Sequence, residues 1–226
     1  MTLFPPLYAV LDQQLMKTPV VKCANDLIAA GVELIQYRAK DLSPRAYFAT
    51  CSSLAEALAN GNARLIINDR PDIAAMVGAG GVHVGQDDLA PRDARKICGS
   101  GRWVGVSTHN LDQVRAAANA SVDYIALGPI FPTSTKKQPD PVVGTSFIRE
   151  ARKLTQKPLV AIGGITLDRA PEVFAAGANS IAVIRDLLEA RDPAARAREF
   201  LSVAAKSRAA SRAQNHSAPP GGRNNG

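Results

Sequence analysis

The side chains able to do chemistry in this chain are charged, amide and hydroxyl groups that cluster at the ends of short apolar runs. The segment Glu33-Leu-Ile-Gln-Tyr-Arg-Ala-Lys40 alternates, so Gln36, Arg38 and Lys40 share one face while Ile35 and Tyr37 take the other. Cations gathered beside an apolar run are costly unless an anion meets them, and this points to a phosphate or pyrophosphate. A later run closes in Asn68-Asp69-Arg70-Pro71-Asp72, and another leads through Gly85-Gln86 to Asp87 and Asp88. Carboxylates from two adjacent run ends can share a hard cation, and magnesium needs only one or two of them besides water and substrate phosphate. The same acids would equally suit the first turns of the following helices, and spacing does not choose between Asp87 and Asp88.

Further along, Gly128-Pro-Ile-Phe-Pro-Thr-Ser-Thr-Lys-Lys137 is a long connection dense in hydroxyl and ammonium groups. Such a loop can fold over an anion, with hydroxyls donating to phosphate oxygens and lysine adding a point charge. Gly163-Gly164 and the end of the last run, Ile184-Arg185, offer backbone N–H groups where a phosphate could sit, although glycines there would also serve a tight turn. Ser107-Thr108-His109-Asn110 supplies a hydroxyl, an imidazole and a helix cap but no Ser-His-Asp arrangement readable from proximity. His83, between Val82 and Val84, reads as a satisfied core histidine.

These groups need a scaffold that brings run ends to one place. The apolar runs are Leu7–Leu11, Leu34–Arg38, Leu65–Asn68, Val82–Val84, Trp103–Ser107, Tyr124–Gly128, Leu159–Gly163 and Ile181–Ile184. A segment of helical periodicity follows most of them, as in Tyr47, Phe48, Cys51, Leu54 and Leu58 after the cap-like Ser43-Pro44. Strict alternation of strand and helix implies a parallel sheet, and eight such units in this length fit a closed (β/α)₈ TIM barrel of the α/β class. In that architecture the active site lies at the C-terminal strand ends, where the polar residues concentrate. The barrel is expected over residues 1–206, followed by a disordered basic tail, 207–226, rich in small and polar residues. His216 in that tail is expected to be solvated.

The net charge of +7 is concentrated near the C-terminus, where Arg191, Arg196, Arg198, Lys206, Arg208, Arg212 and Arg223 face only Asp192 and Glu199. That stretch has no aromatic platform beyond Phe200 and no nucleic-acid motif, so nucleic acid is not an expected partner. No apolar stretch approaches a membrane span, and the first residues lack a basic start and a cleavage site, so a cytoplasmic location is expected. Cys23, Cys51 and Cys98 are odd in number and widely spaced, which suits buried thiols. Oligomeric state is not written in the sequence, which leaves room for a homo-oligomer.

Read in order, Gln36-Tyr-Arg-Ala-Lys40, Asn68-Asp69-Arg70, Val82-His-Val-Gly-Gln-Asp-Asp88, Gly105-Val-Ser107, Gly128-Pro-Ile-Phe-Pro-Thr-Ser-Thr-Lys136 and Ile162-Gly-Gly-Ile165 resemble the thiamine phosphate synthase family, from about Leu7 to Leu188. The resemblance implies a transferase that joins a pyrimidine diphosphate to a thiazole phosphate, giving thiamine phosphate and pyrophosphate. It implies that Gln36, Tyr37, Arg38, Ala39, Lys40, Asn68, Ser107 and Lys136 bind the pyrimidine diphosphate, with Arg38, Lys40, Ser107 and Lys136 acting in catalysis. It further implies that Asp69 and Asp88 hold Mg²⁺, and that Thr133, Ser134, Thr135, Gly164, Ile184 and Arg185 bind the thiazole phosphate. Ala39 stands where Glu is usual in the family, and Arg185 where a small residue is usual. A thiazole tautomerase of the same superfamily, using His109, and a non-catalytic thiazole phosphate sensor are the rival readings.

Overall fold

The computed structural model describes residues 4–135 and 140–216. Its strands are β1 (Leu7–Asp12), β2 (Leu34–Arg38), β3 (Arg64–Asn68), β4 (Gly81–Val84), β5 (Trp103–Thr108), β6 (Tyr124–Leu127), β7 (Leu159–Ile162) and β8 (Ser180–Val183). They alternate with α1 (Val20–Ala29), α2 (Pro44–Leu58), α3 (Pro71–Met76), α4 (Pro91–Cys98), α5 (Leu111–Asn119), α6 (Gly144–Leu154), α7 (Ala170–Ala175), α8 (Arg185–Leu188) and α9 (Pro193–His216). Each strand pairs in parallel with the next, and β8 closes on β1 through Leu7 with Ile181, Tyr8 with Ala182 and Ala9 with Val183. The expected barrel is therefore closed.

Period-two side-chain alternation divides the apolar residues between two cores. On β1, Leu7, Ala9 and Leu11 pack outward beneath the helices, while Tyr8 and Val10 join Leu34, Ile66, Tyr124, Val160 and Ala182 around the axis. Burying each such aliphatic side chain stabilises the fold by about 1.5–3 kcal/mol. Phe4 stacks on Trp103 with ring centroids 5.1 Å apart and closes the N-terminal end of the barrel. Tyr124 can occupy the axis because Gly105 leaves room: a Cβ there would lie 2.0 Å from Tyr124 Cζ.

Local signals set the element ends. The Ser43 hydroxyl accepts from the Ala46 amide at 3.3 Å and Pro44 occupies the first turn of α2. The Asn110 side chain accepts from the Gln113 amide at 2.9 Å, and Gln113 Oε1 in turn accepts from the His109 amide at 2.7 Å, a reciprocal cap on α5. Helix α9 runs past residue 206 to His216, the Ala- and Arg-rich segment having good helix propensity and Arg208 anchoring it, its Nη2 donating to the Phe4 carbonyl at 2.7 Å and the Asn179 carbonyl at 3.1 Å. Ala197, Phe200 and Ala204 bury the face of α9 that packs near α1 and α7. Residues 217–226 of the expected tail lie outside the described residues.

Candidate active site

The inward-facing positions near the C-terminal strand ends open into a cavity of about 310 Å³. Strands β2, β3 and β5 send Gln36, Arg38, Asn68 and Ser107 into it. From the opposite side come Thr133 and Thr135 of the loop after β6, Gly164 after β7, and Ile184 and Arg185 after β8. The alternation read on β2 holds: Gln36 and Arg38 face inward, whereas Tyr37 turns out of the barrel. There it stacks on Tyr47 at 5.4 Å and its hydroxyl donates to Gln13 Oε1 at 2.8 Å, so its side chain is structural and not part of the cavity. Ala39 packs against the outer core and Ser134 is exposed, neither lining the cavity. Lys136 lies outside the described residues.

Arg38 is held by a residue the apolar runs did not flag. Asp12, the last residue of β1 and 2% exposed, forms an ion pair with Arg38 Nη1. Its other oxygen accepts from the Gln14 amide at 3.1 Å. The same period-two rule that placed Gln36 and Arg38 places Tyr8, Val10 and Asp12 on one face, so the signal was present one residue beyond the run.

At the rim, Lys40 forms an ion pair with Asp69. Asp69 has φ 62°, a conformation that L residues rarely adopt and that Asp tolerates better than most. The Asp69 amide donates to the His83 carbonyl at 2.8 Å and the Arg70 amide to the Asn68 carbonyl at 2.9 Å, a tight turn that fixes the Asp69 carboxylate against the next strand end. Asp88 meets it there, its Oδ2 accepting from the Gly85 amide at 2.7 Å, while Asp87 is exposed. Partial burial and then the neighbouring Asp69 carboxylate push the Asp88 carboxyl above its ordinary value, only partly offset by the Gly85 amide and Lys40. Two carboxylates held together against their mutual repulsion form a donor pair suited to a hard divalent cation.

Beneath these groups, a chain of hydrogen bonds crosses the barrel. Gln36 Nε2 donates to the Tyr8 hydroxyl at 2.7 Å, Tyr8 and Tyr124 hydroxyls lie 2.8 Å apart, and Tyr124 meets His83 Nδ1 at 3.1 Å. His83 Nε2 then lies 2.9 Å from Ser107 Oγ. His83 is satisfied, as expected for a core histidine, yet it also lines the cavity. His109 bonds the Gly128 carbonyl through Nδ1, and its Nε2 lies 3.5 Å from Asp140 Oδ2, so it braces the loop after β6.

The glycines after β7 serve packing as well as access. A Cβ on Gly164, whose φ is 60°, would sit 2.3 Å from the Pro132 carbonyl oxygen, and one on Gly163 would sit 2.5 Å from Pro129 Cβ. The loop after β6 lies directly against this turn, with the Ile130 amide donating to the Ile162 carbonyl at 2.9 Å and the Phe131 amide to Gly163 at 3.0 Å. Arg169 clamps the same corner, over the Phe131 ring at 4.7 Å and bonded to the Gly164 carbonyl at 2.7 Å. Arg185 pairs with Glu189 at 2.6 Å through Nη1, while its buried Nε has no partner among the described residues.

The model of the family described as thiamine monophosphate synthase matches residues 7–187. A thiamine-phosphate synthase of Koribacter versatilis is 48% identical over 204 residues, covering 88% of this chain and 95% of that protein. One of Shouchella clausii is 39% identical over 198 residues, covering 87% and 95%. The solved structure of a thiamine phosphate pyrophosphorylase from Pyrococcus furiosus superposes with a TM-score of 0.81 at 28% identity, over 89% of this chain and 96% of that one.

Proposed function

This chain belongs to the thiamine monophosphate synthase family, and from that membership together with the barrel mouth we propose how its side chains carry out the family's reaction. The protein is a transferase of thiamine biosynthesis that condenses a pyrimidine diphosphate with a thiazole phosphate, releasing thiamine phosphate and pyrophosphate. The C–O bond at the pyrimidine methylene breaks with its electron pair leaving on pyrophosphate, and the thiazole nitrogen forms the new C–N bond. Such a reaction asks the protein for charge stabilisation and orientation, with no protein nucleophile.

The observation that carries the assignment of roles is the meeting of the Asp69 and Asp88 carboxylates beside Lys40, which follows the inward-facing Arg38 by two residues. Asp69 and Asp88 would hold Mg²⁺, which when bound supplies positive charge to the diphosphate. Arg38, Lys40 and Lys136 bind the departing pyrophosphate, Gln36 and Asn68 orient the pyrimidine, and Ser107 donates to the diphosphate of the same substrate. The opposite wall takes the thiazole phosphate through Thr133, Thr135, Gly164, Ile184 and Arg185, whose unpartnered Nε is suited to an anionic oxygen. We place the enzyme in the cytoplasm; no described helix is long and apolar enough to cross a membrane.

Calorimetric titration of the pyrimidine diphosphate with and without magnesium tests this division of labour. Magnesium should tighten binding to the unmodified chain and have little effect on Asp69→Asn or Asp88→Asn, both chosen to preserve shape. Equal binding with and without magnesium would overturn the metal assignment while leaving the family unaffected.

A further inference from the structure

The hydrogen-bond chain beneath the cavity can run in two senses, and the donor at its first member favours one of them. The amide nitrogen of Gln36 can only donate, so the Tyr8 hydroxyl, 2.7 Å away, accepts from it. A phenol has one proton, and with Gln36 already donating to its oxygen, the sense in which each bond polarises the next sends the Tyr8 proton to the Tyr124 hydroxyl at 2.8 Å. Tyr124 must then send its own proton to His83 Nδ1 at 3.1 Å, which requires that nitrogen to be bare. A neutral imidazole with bare Nδ1 carries its proton on Nε2, 2.9 Å from Ser107 Oγ. Ser107 accepts there, and its single proton is released toward the cavity it lines.

We propose that Gln36, Tyr8, Tyr124 and His83 form a one-way hydrogen-bond chain that positions the Ser107 hydroxyl as a donor to the substrate anion bound in the barrel mouth. The inference rests on the reading of Ser107 as a substrate-binding group and adds its polarity and the residues that impose it. Ser107 is the group that touches substrate; Tyr8, Tyr124 and His83 are positioning residues acting through it. Burial raises both tyrosine hydroxyls well above the ordinary phenol value, so the two protons that transmit the direction stay in place across the working pH range. Tyr124 is 0% exposed and does not line the cavity, so removing its hydroxyl breaks the chain without touching substrate. Reversing the chain would turn the Ser107 proton inward to His83 and present only a lone pair to an anion, which repels it.

The test has two readouts. Nitrogen-15 histidine spectra of the full chain, with the His83 signals assigned by their loss in His83→Gln, should show the neutral tautomer protonated at Nε2. The tautomer protonated at Nδ1 would overturn the proposal, and this readout requires no substrate or turnover. In steady-state assays Tyr124→Phe should lower kcat about tenfold, the scale of one hydrogen bond, with KM for both substrates little changed. In a Ser107→Ala background the same substitution should have no further effect. His83→Gln, which keeps a donor amide near the Nε2 position, should retain more activity than His83→Leu. Additive losses in Tyr124→Phe/Ser107→Ala would assign the chain a packing role and refute the proposal. Should Tyr124→Phe fail to fold, the tautomer of the unmodified chain decides. A correct tautomer in a chain that makes no thiamine phosphate would count against the substrate reading alone.

Discussion

Replacing Asp12 with Asn removes the carboxylate facing Arg38 but keeps an oxygen for the Gln14 amide, so the change isolates the charge. The Asp12 side chain is 2% exposed and that of Arg38 17%, so the pair lies between a surface bridge and a fully buried one. Removing one partner of a fully buried pair costs about 3–5 kcal/mol, and a charge-assisted hydrogen bond is worth about 1.5–3 kcal/mol. The partial access of Arg38 to solvent sets the expectation at the lower value, about 2 kcal/mol. For a chain of this size that lowers Tm by roughly 4–8 °C. Without its anchor Arg38 loses the orientation needed to meet the diphosphate, and kcat/KM for the pyrimidine substrate should fall about tenfold, less than the 10²–10³ expected for Arg38→Ala. The assay is a double-mutant cycle on thermal stability and on kcat/KM. Asp12→Asn/Arg38→Ala should be no slower than Arg38→Ala alone. Unchanged kinetics in Asp12→Asn, or fully additive losses in the double variant, would refute the claim that Asp12 acts by holding Arg38.

Gly105→Ala should destabilise the fold by about 1–3 kcal/mol or more, read by chemical denaturation, because the new Cβ would fall 2.0 Å from Tyr124 Cζ; a neutral result would mean the axis tolerates overpacking. Burial pushes the Cys51 thiol from its ordinary 9.0 up to about 12, so its contribution to stability is complete below pH 9 and declines as pH rises toward 12, where unfolded but not folded chains ionise. At pH 8 the native chain should accordingly resist alkylation at Cys51, and rapid labelling in the absence of denaturant would contradict its burial. Arg185→Ala should raise KM for the thiazole phosphate about tenfold and leave KM for the pyrimidine diphosphate unchanged; an unchanged thiazole KM would show that the buried Nε does not meet the phosphate.

The strand run Leu34–Arg38 and the faces of Gln36 and Arg38 were legible because alternation alone decides which side chains enter a barrel. Alternation says nothing about what a side chain meets across the axis. The contact of Tyr8 with Tyr124 joins residues 116 apart in sequence, and only closure of the barrel reveals it. Tyr37 lies inside a motif of site residues, yet its own parity sends its side chain outward against Tyr47. Asp12 lies one residue past the apolar run Leu7–Leu11, where it both caps the turn after β1 and holds Arg38. Gly163 and Gly164 left two readings open in the sequence. The structure supports the packing one directly, through Pro129 and Pro132, while leaving Gly164 on the cavity wall. The reach of α9 beyond residue 206 is not legible in a polar Ala-Arg-Ser segment, because the anchoring contacts of Arg208 with Phe4 and Asn179 are invisible locally.

Magnesium-dependent turnover of the two substrates by the full chain, with thiamine phosphate and pyrophosphate counted in the same reaction, is the decisive measurement. The two products should appear in equal amounts, require magnesium, and fall at least a hundredfold in Asp69→Asn, which tolerates the positive φ that alanine would strain. Pyrophosphate release without thiamine phosphate, or undiminished turnover by a folded Asp69→Asn chain, would contradict the roles assigned to the barrel mouth.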